Sequence, residues 1–121
     1  MSGIGDVTMD AVTQALSGLR TRSDVRAHNI ANANTPGFRA MRVDFESNLA
    51  AALERAGSGR LDADAVDAAL TPDPNLPGPN GNTVSLEGEM VGQMEDNLLR
   101  SAMVNAFNFK ANMLRTAIGR R

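Results

Sequence analysis

His28 stands four residues after Asp24, one helical turn away, where a carboxylate could hold an imidazole as a general base. No nucleophile or second base accompanies the two, and they read as an ordinary surface pair. Asp62, Asp64 and Asp67 in LDADAVDAAL bring carboxylates close together in a faint suggestion of a calcium loop. A loop of the EF-hand kind needs alternating ligands, a turn Gly and a closing Glu, and that full pattern is absent. Met90, Met94, Met103 and Met113 read as packing side chains, which methionine suits because it adapts to irregular partners. The bases Arg100, Lys110, Arg115, Arg120 and Arg121 could touch phosphate, but they form no stripe and have no stacking aromatics between them. The chain has no Cys and one His, which removes thiolate nucleophiles, disulfide scaffolds, zinc ribbons and most imidazole catalysis. These residues predict no catalytic or metal site, no cofactor, no small-molecule substrate and no nucleic-acid partner. The chain does not read as an enzyme.

The elements that would position any site are helical. The 121 residues suffice for one domain or one long helical hairpin. There are four Phe and no Trp or Tyr, so the apolar surface lies in small and flexible side chains that suit helices packed on helices. The net charge of -2 hides a segregation. Residues 20–42 carry five Arg against one Asp, residues 43–97 carry eleven acids against two Arg, and residues 98–121 carry five bases and no acid. Either these are solvated helix faces, or they are complementary patches that register one subunit on the next.

From about Asp6 to Ala33 no Pro interrupts the chain, and Met9, Val12, Leu16 and Leu19 step at helical spacing. The same register continues through Ser23, Arg26 and Ile30, so the stripe turns polar midway and meets either solvent or a polar partner. In the C-terminal stretch Val91, Met94, Leu98, Ala102, Ala106, Phe109, Met113 and Ala117 step by three or four. A second stripe of Leu99, Met103, Phe107, Leu114 and Ile118 lies beside it. Ser85 can cap this helix, and Glu87 and Glu89 suit its positive end. Arg115, Gly119, Arg120 and Arg121 form a basic, Gly-terminated finish. Between the long helices, Asp44–Ala56 reads as a short helix stopped by Gly57-Ser58-Gly59, and Leu61–Leu70 as helix or mobile chain. Residues 71–82, TPDPNLPGPNGN, hold four of the five Pro and read as an exposed loop. Asn80-Gly81 could close a tight turn, with poor support for strands on either side. The expected fold is all-α, two long antiparallel terminal helices in a coiled-coil-like hairpin with a short helix and an irregular Pro/Gly-rich middle. Its parts are residues 1–42, 43–84 and 85–121, the two terminal helices forming one domain. The start, MSGIGDVTMD, has no basic segment of the kind that opens a secretory signal, and no apolar run reaches the roughly 20 residues of a membrane span.

One segment stands out as more than helix: Asn29, Ile30, Ala31, Asn32, Ala33, Asn34, Thr35, Pro36, Gly37 and Phe38. Pro36 pushes Thr35 out of helical geometry, and Pro36-Gly37 suits the centre of a type II turn, with Gly at positive φ. The amides of Asn29, Asn32 and Asn34 can satisfy the last helical carbonyls or a neighbour's backbone. Phe38 provides an apolar anchor after the turn.

This stretch, HNIANANTPGFRAM behind a long amphipathic helix, closely resembles the N-terminal signature of bacterial flagellar rod, hook and hook-associated proteins. Val43-Asp44-Phe45-Glu46 with Leu49, and later the segment Gly81–Met90 with Asn97 and Leu114–Ile118, resemble the small proximal-rod members. The likeness covers roughly residues 5–56 and 80–119, and skips the Pro/Gly centre. That family usually has Tyr at the place of Phe38 and at that of Ser101, and often Lys at that of Arg39. Hook and filament-type relatives insert large middle domains, for which this chain has no room.

The resemblance implies a structural subunit of a hollow axial tube in the flagellar basal body. Its partners would be copies of itself, other rod proteins, and the membrane-ring adaptor and export gate at the rod base. It also implies a periplasmic place reached by the flagellar type III apparatus. The turn motif would set the angle at which the chain leaves the first helix. Met9, Val12, Leu16, Leu19, Val91, Met94, Leu98, Phe109, Met113 and Ile118 would pack between subunits. Another small rod protein, a soluble helical binding module such as a secretion chaperone, and a membrane-surface protein remain alternatives.

Overall fold

A computed structural model of the chain describes residues 4–57, 59–62 and 66–119. In chain order the elements are helix α1 (Ile4–Ala31), strand β1 (Met41–Asp44), helix α2 (Glu46–Ala56), strand β2 (Ala69–Pro72) and helix α3 (Leu86–Gly119). The two long helices run antiparallel: Arg26 meets Glu89, Ser23 meets Gln93 and Arg22 meets Asp96, one number rising as the other falls. The helical hairpin read from the two periodic stretches is therefore the fold. Among the described residues no helix is long and apolar enough to cross a membrane.

The interior is small, as four aromatics would suggest. Ala15, Leu19, Val43 and Phe45 form one cluster, with Val25, Leu49, Ala68 and Met103 packed against it. Val7, Ala52 and Leu61 form a second, beside Leu49, Leu53, Ala56 and Val66. Leu19 is fully buried, and the Phe45 ring fills the space where α1, β1 and α2 converge. Gly18 makes that possible, because a Cβ there would overlap the ring. The Arg22 guanidinium lies over the ring's other surroundings, 4.9 Å from its centroid, as a cation–π contact.

The helix ends follow their local chemistry. Ser85 Oγ accepts from the Gly88 N–H at 3.1 Å and caps α3. Helix α2 begins at Glu46, two residues later than Asp44. Asp44 instead accepts from the Ser47 N–H and hydroxyl ahead of the first turn. Gly57, at φ 55°, ends α2 with its N–H on the Leu53 carbonyl, while Ser58 lies outside the described residues. Arg120 and Arg121 also lie outside them.

The middle of the chain departs from expectation. β1 and β2 pair antiparallel, with Met41 opposite Pro72 and Asp44 opposite Ala69. Strand β2 thus takes in the first two residues of the run that read as loop, and the division drawn between residues 42 and 43 falls inside β1. Nor do the described parts of 61–70 form a helix: residues 66–68 are irregular and Ala69-Leu70 are strand, with Asp64 outside the described residues. The reason is non-local. Val43 must turn inward beside Phe45, and the extended backbone this requires finds its partner at Leu70, far along the chain. Pro72 is tolerated because it ends an exposed edge strand.

Replacing Gly18 by Ala separates packing from propensity. Helix propensity favours Ala by about 1 kcal/mol, whereas displacing a buried ring costs about 1–3 kcal/mol. Urea unfolding of Gly18→Ala is therefore expected to show a net loss of up to about 2 kcal/mol, and a gain would mean that Phe45 is free to move aside.

Candidate functional site

The exit of α1 is tied to a distant loop by hydrogen bonds. Asn29 is fully buried. Its Nδ2 donates to the Met41 carbonyl at 2.7 Å and its Oδ1 accepts from the Met41 N–H at 3.2 Å, the two bonds a neighbouring strand would make. Asn32 turns back on its own helix, Nδ2 donating to the His28 carbonyl at 2.8 Å, and accepts the Thr35 hydroxyl. The Phe38 N–H then closes on the Thr35 carbonyl at 3.2 Å, with Gly37 at φ 73°. This is the type II turn that Pro36-Gly37 suggested.

The sequence offered no sign of what this turn docks upon. The Gly37 N–H donates to the Asn80 carbonyl and the Thr83 N–H to the Phe38 carbonyl. The Ala40 N–H donates to Thr83 Oγ1 at 2.7 Å. Asn82, itself buried, donates from Nδ2 to the carbonyls of both Asn32 and Thr35, at 2.9 and 2.7 Å, and accepts from the Val84 N–H. A second turn, Gly78 to Gly81 with Gly81 at φ 78°, presents these groups. The two signature-bearing segments are therefore one knot, placed directly before the Ser85 cap of α3. Asn82 and Thr83 are the residues that single-segment reading missed. Their one visible signal was membership in the second stretch of family likeness.

The rest of the named turn residues lie around the knot. Ile30, Ala31, Asn34 and Pro36 are exposed. His28 sits edge-on to Phe38, with ring centroids 5.6 Å apart, and serves as an aromatic neighbour to the turn. Asp62 and Asp67 are exposed, and the Asp67 carbonyl accepts from Asn48.

Where the α1 stripe turns polar, it meets acids of its own chain. Arg22 holds Asp96 through Nε and Nη2 and Glu46 through Nη1. Arg26 reaches the same Asp96 through Nε at 2.9 Å and approaches Glu89 at 3.7 Å. Asp96 and Glu89 are 4% and 6% exposed. Gly92 admits the Arg26 guanidinium, since any Cβ would occupy its place. Glu89 Oε2 has no hydrogen-bond partner. Burial pushes the Glu89 carboxyl above its ordinary range, with Asp73 and Asp96 adding to it, against the opposing pull of Asn29 and Arg26.

The residues named for packing divide by side. Val12 and Leu19 are buried in the chain's own interior, and Met9 and Leu16 are half-buried. Those first two are therefore unavailable to a neighbour while α1 stays folded in place. Val91, Met94, Leu98, Phe109 and Met113 are 51–74% exposed, and Ile118 is exposed at the end of α3. In the second stripe Met103 packs on the Leu19–Phe45 cluster, while Leu99, Phe107 and Leu114 are only 37–39% exposed. The hairpin turns Met103 of the second stripe inward, leaves Ile118 exposed at the helix end, and leaves the first stripe uncovered.

Comparison with known proteins agrees with this picture. Residues 9–39 match the model of a family described as flagella basal body rod protein. The flagellar basal body rod protein FlgB of Escherichia coli K12 is 36% identical, over 81% of this chain and 82% of that one. Its namesake in Cereibacter sphaeroides ATCC 17023 is 33% identical over 98% of each chain. The Salmonella typhimurium LT2 protein of the same name is 32% identical over 81% of this chain and 82% of its own.

Two measurements test the geometry. Asn82→Ala leaves the Val84 N–H without its partner and takes one of two donors from each of the Asn32 and Thr35 carbonyls, and chemical denaturation should show a loss of about 1–3 kcal/mol. The raised Glu89 favours the folded state when protonated. Its contribution is full below the ordinary Glu value of about 4.3 and is lost as pH rises through the folded value. Thermal melts should therefore show Glu89→Gln gaining on the parent chain from pH 4 towards pH 7; a constant difference would show that folding leaves the proton affinity of Glu89 unchanged.

Proposed function

Because this chain belongs to the FlgB family of flagellar basal body rod proteins, it is a structural subunit of that rod, and we propose that it builds the proximal segment by helix packing between subunits. The observation that carries the packing mode is the uncovered stripe Val91, Met94, Leu98, Phe109 and Met113, on a helix whose opposite side α1 closes only as far as Met103. An isolated hairpin leaves that apolar surface in water, and neighbouring subunits would bury it at about 25 cal/mol per Å² before entropic costs. Monomeric proteins seldom leave a contiguous apolar strip of this kind without a use for it.

Within this reading the two terminal helices are the rod-core domain, and residues 34–84 lie outside the inner wall. The role is mechanical, without catalysis. Partners are copies of itself and other rod proteins, together with the membrane-ring adaptor and the export gate at the rod base. The chain would reach its periplasmic place through the flagellar type III apparatus. The knot of the turn on residues 78–84 gives the motif a physical task, because it fixes both where the chain leaves α1 and where α3 starts. Asn29, Asn32, Thr35 and Gly37 act in this joint. Ile30, Ala31, Asn34, Pro36 and Phe38 form its outward surface.

Co-purification with intact basal bodies, followed by side-chain imaging of that fraction, tests the assignment. Presence in the rod wall near the membrane-ring end is expected, and absence from well-preserved rods would overturn it. Leu98→Asp should leave stability within about 0.5 kcal/mol, as for an exposed site, yet remove the chain from the rod. Gly37→Val penalises the positive φ by about 1–2 kcal/mol. It should impair incorporation while circular dichroism of the dilute chain stays nearly unchanged; normal rods in that variant would mean that the turn does not set the exit angle.

A further inference from the structure

We propose that copies of this chain dock head to tail along α3, the base-only second half of one α3 lying on the acid-flanked outer face of the first half of the next. This rests on the reading of the chain as an axial subunit and names the surfaces that meet.

Charge divides α3 at its middle. Residues 85–99 contain Glu87, Glu89, Glu95 and Asp96 and no base, whereas from Arg100 onward the chain contains five bases and no acid. The interior consumes two of these acids, because Glu89 and Asp96 face Arg26 and Arg22. Glu87 and Glu95 remain exposed, beside the apolar strip of Met90, Val91, Met94 and Leu98. The second half offers the converse. Phe109, Asn112, Met113, Thr116 and Ala117 form a nearly flat, mostly apolar face. Lys110 and Arg115 stand beside it, with no carboxylate to neutralise them on this half of the helix.

The two patches fit each other in size and sign. They lie on one side of one helix, so a parallel neighbour displaced along the axis and turned by half a rotation can bring them together. A stagger of about 18 residues is five full turns, roughly 27 Å at 1.5 Å per residue. It brings Val91 and Met94 of one copy to Phe109 and Met113 of the next, Leu98 opposite Thr116, and Glu95 to the side that carries Arg115. Unbranched methionine side chains adapt readily to such an apolar face. Each copy then still presents a free acid-flanked half and a free basic half. Such a contact repeats without closing, as a rod requires. An antiparallel arrangement would match the same charges but would use up both halves in a closed pair.

The chain has no Cys, so crosslinks report only the positions chosen. The purified full chain carrying both Leu98→Cys and Thr116→Cys is oxidised under non-denaturing conditions, with circular dichroism confirming its helix content. A ladder of multimers is expected. Dimers alone would show a closed antiparallel pair, and monomers alone would show no docking; either overturns the proposal. Adding Glu95→Arg or Arg115→Glu should abolish the ladder, and adding both should restore it. A ladder indifferent to these charges would overturn the electrostatic register. The same variants are scored for presence in basal bodies. Presence there without crosslinks sinks the docking and leaves the rod assignment standing, whereas a ladder from a chain absent from rods does the reverse.

Discussion

One buried carboxylate sets how the two long helices meet. Asp96, almost entirely enclosed, is held by Arg22 and Arg26, which lie one turn apart on α1. Removing one member of such a buried group costs about 3–5 kcal/mol, because the remaining charges lose their partners in a poorly solvated place. Sliding α3 by a turn would do the same, leaving one arginine unpaired. The apolar seam has no comparable selectivity. It is made of Ala15, Leu19, Val25 and Met103, small or flexible side chains that could accept a shifted neighbour at modest cost. The polar cluster therefore supplies register, and the apolar contacts supply the general attraction.

The knot at the exit of α1 completes what the cluster begins. Arg22 also reaches Glu46 and the Val43 carbonyl, so the ion cluster is bonded to β1, and Asn29 secures β1 at Met41. Asn82 and Thr83 then bind the turn to the residues just ahead of α3. The backbone path from one long helix to the other is thus held at both ends, with α2 and the β1–β2 pair between them. The bonds of this joint run through backbone groups, asparagine amides and the Thr35 and Thr83 hydroxyls, so it needs no phenol at Phe38 or Ser101. What matters at Phe38 is the ring, which packs edge-on to His28.

How much of this could be read in advance depended on how local each cause is. Helix α3, its Ser85 cap, helix α1 and the type II turn at Pro36-Gly37 follow from spacing and from residues within a few positions of each other. The β1–β2 pair does not, because Ala69-Leu70 belong to an Ala-rich stretch with helical tendencies and become strand only once Val43 offers a ladder. The mutual docking of the Asn32–Phe38 turn and the Asn80–Thr83 loop is likewise invisible to periodicity. Nor does periodicity tell which of two adjacent apolar stripes faces inward. The sparser stripe through Met103 wins that place because it shares its side of α3 with Asp96 and Gly92, and those two must face Arg22 and Arg26.

That last point explains an inversion of the usual arrangement. In most small domains the strongest apolar face turns inward and charges stay in water. Here a carboxylate and two guanidinium groups claim the interior side of α3, and Val91, Met94, Leu98, Phe109 and Met113 are left outside. For a chain that had to be stable alone, this would be a poor use of its best side chains. For a subunit that is finished only among its neighbours the arrangement is coherent. The charged interior orients the hairpin before any partner arrives, since its selectivity needs no second chain. In the packing proposed above, the outer stripe contributes its burial only on assembly, so the free energy of ordering the long helix beyond the small core would depend on the neighbour that covers it. In that packing, orientation inside one chain and cohesion between chains are assigned to opposite sides of the same helix.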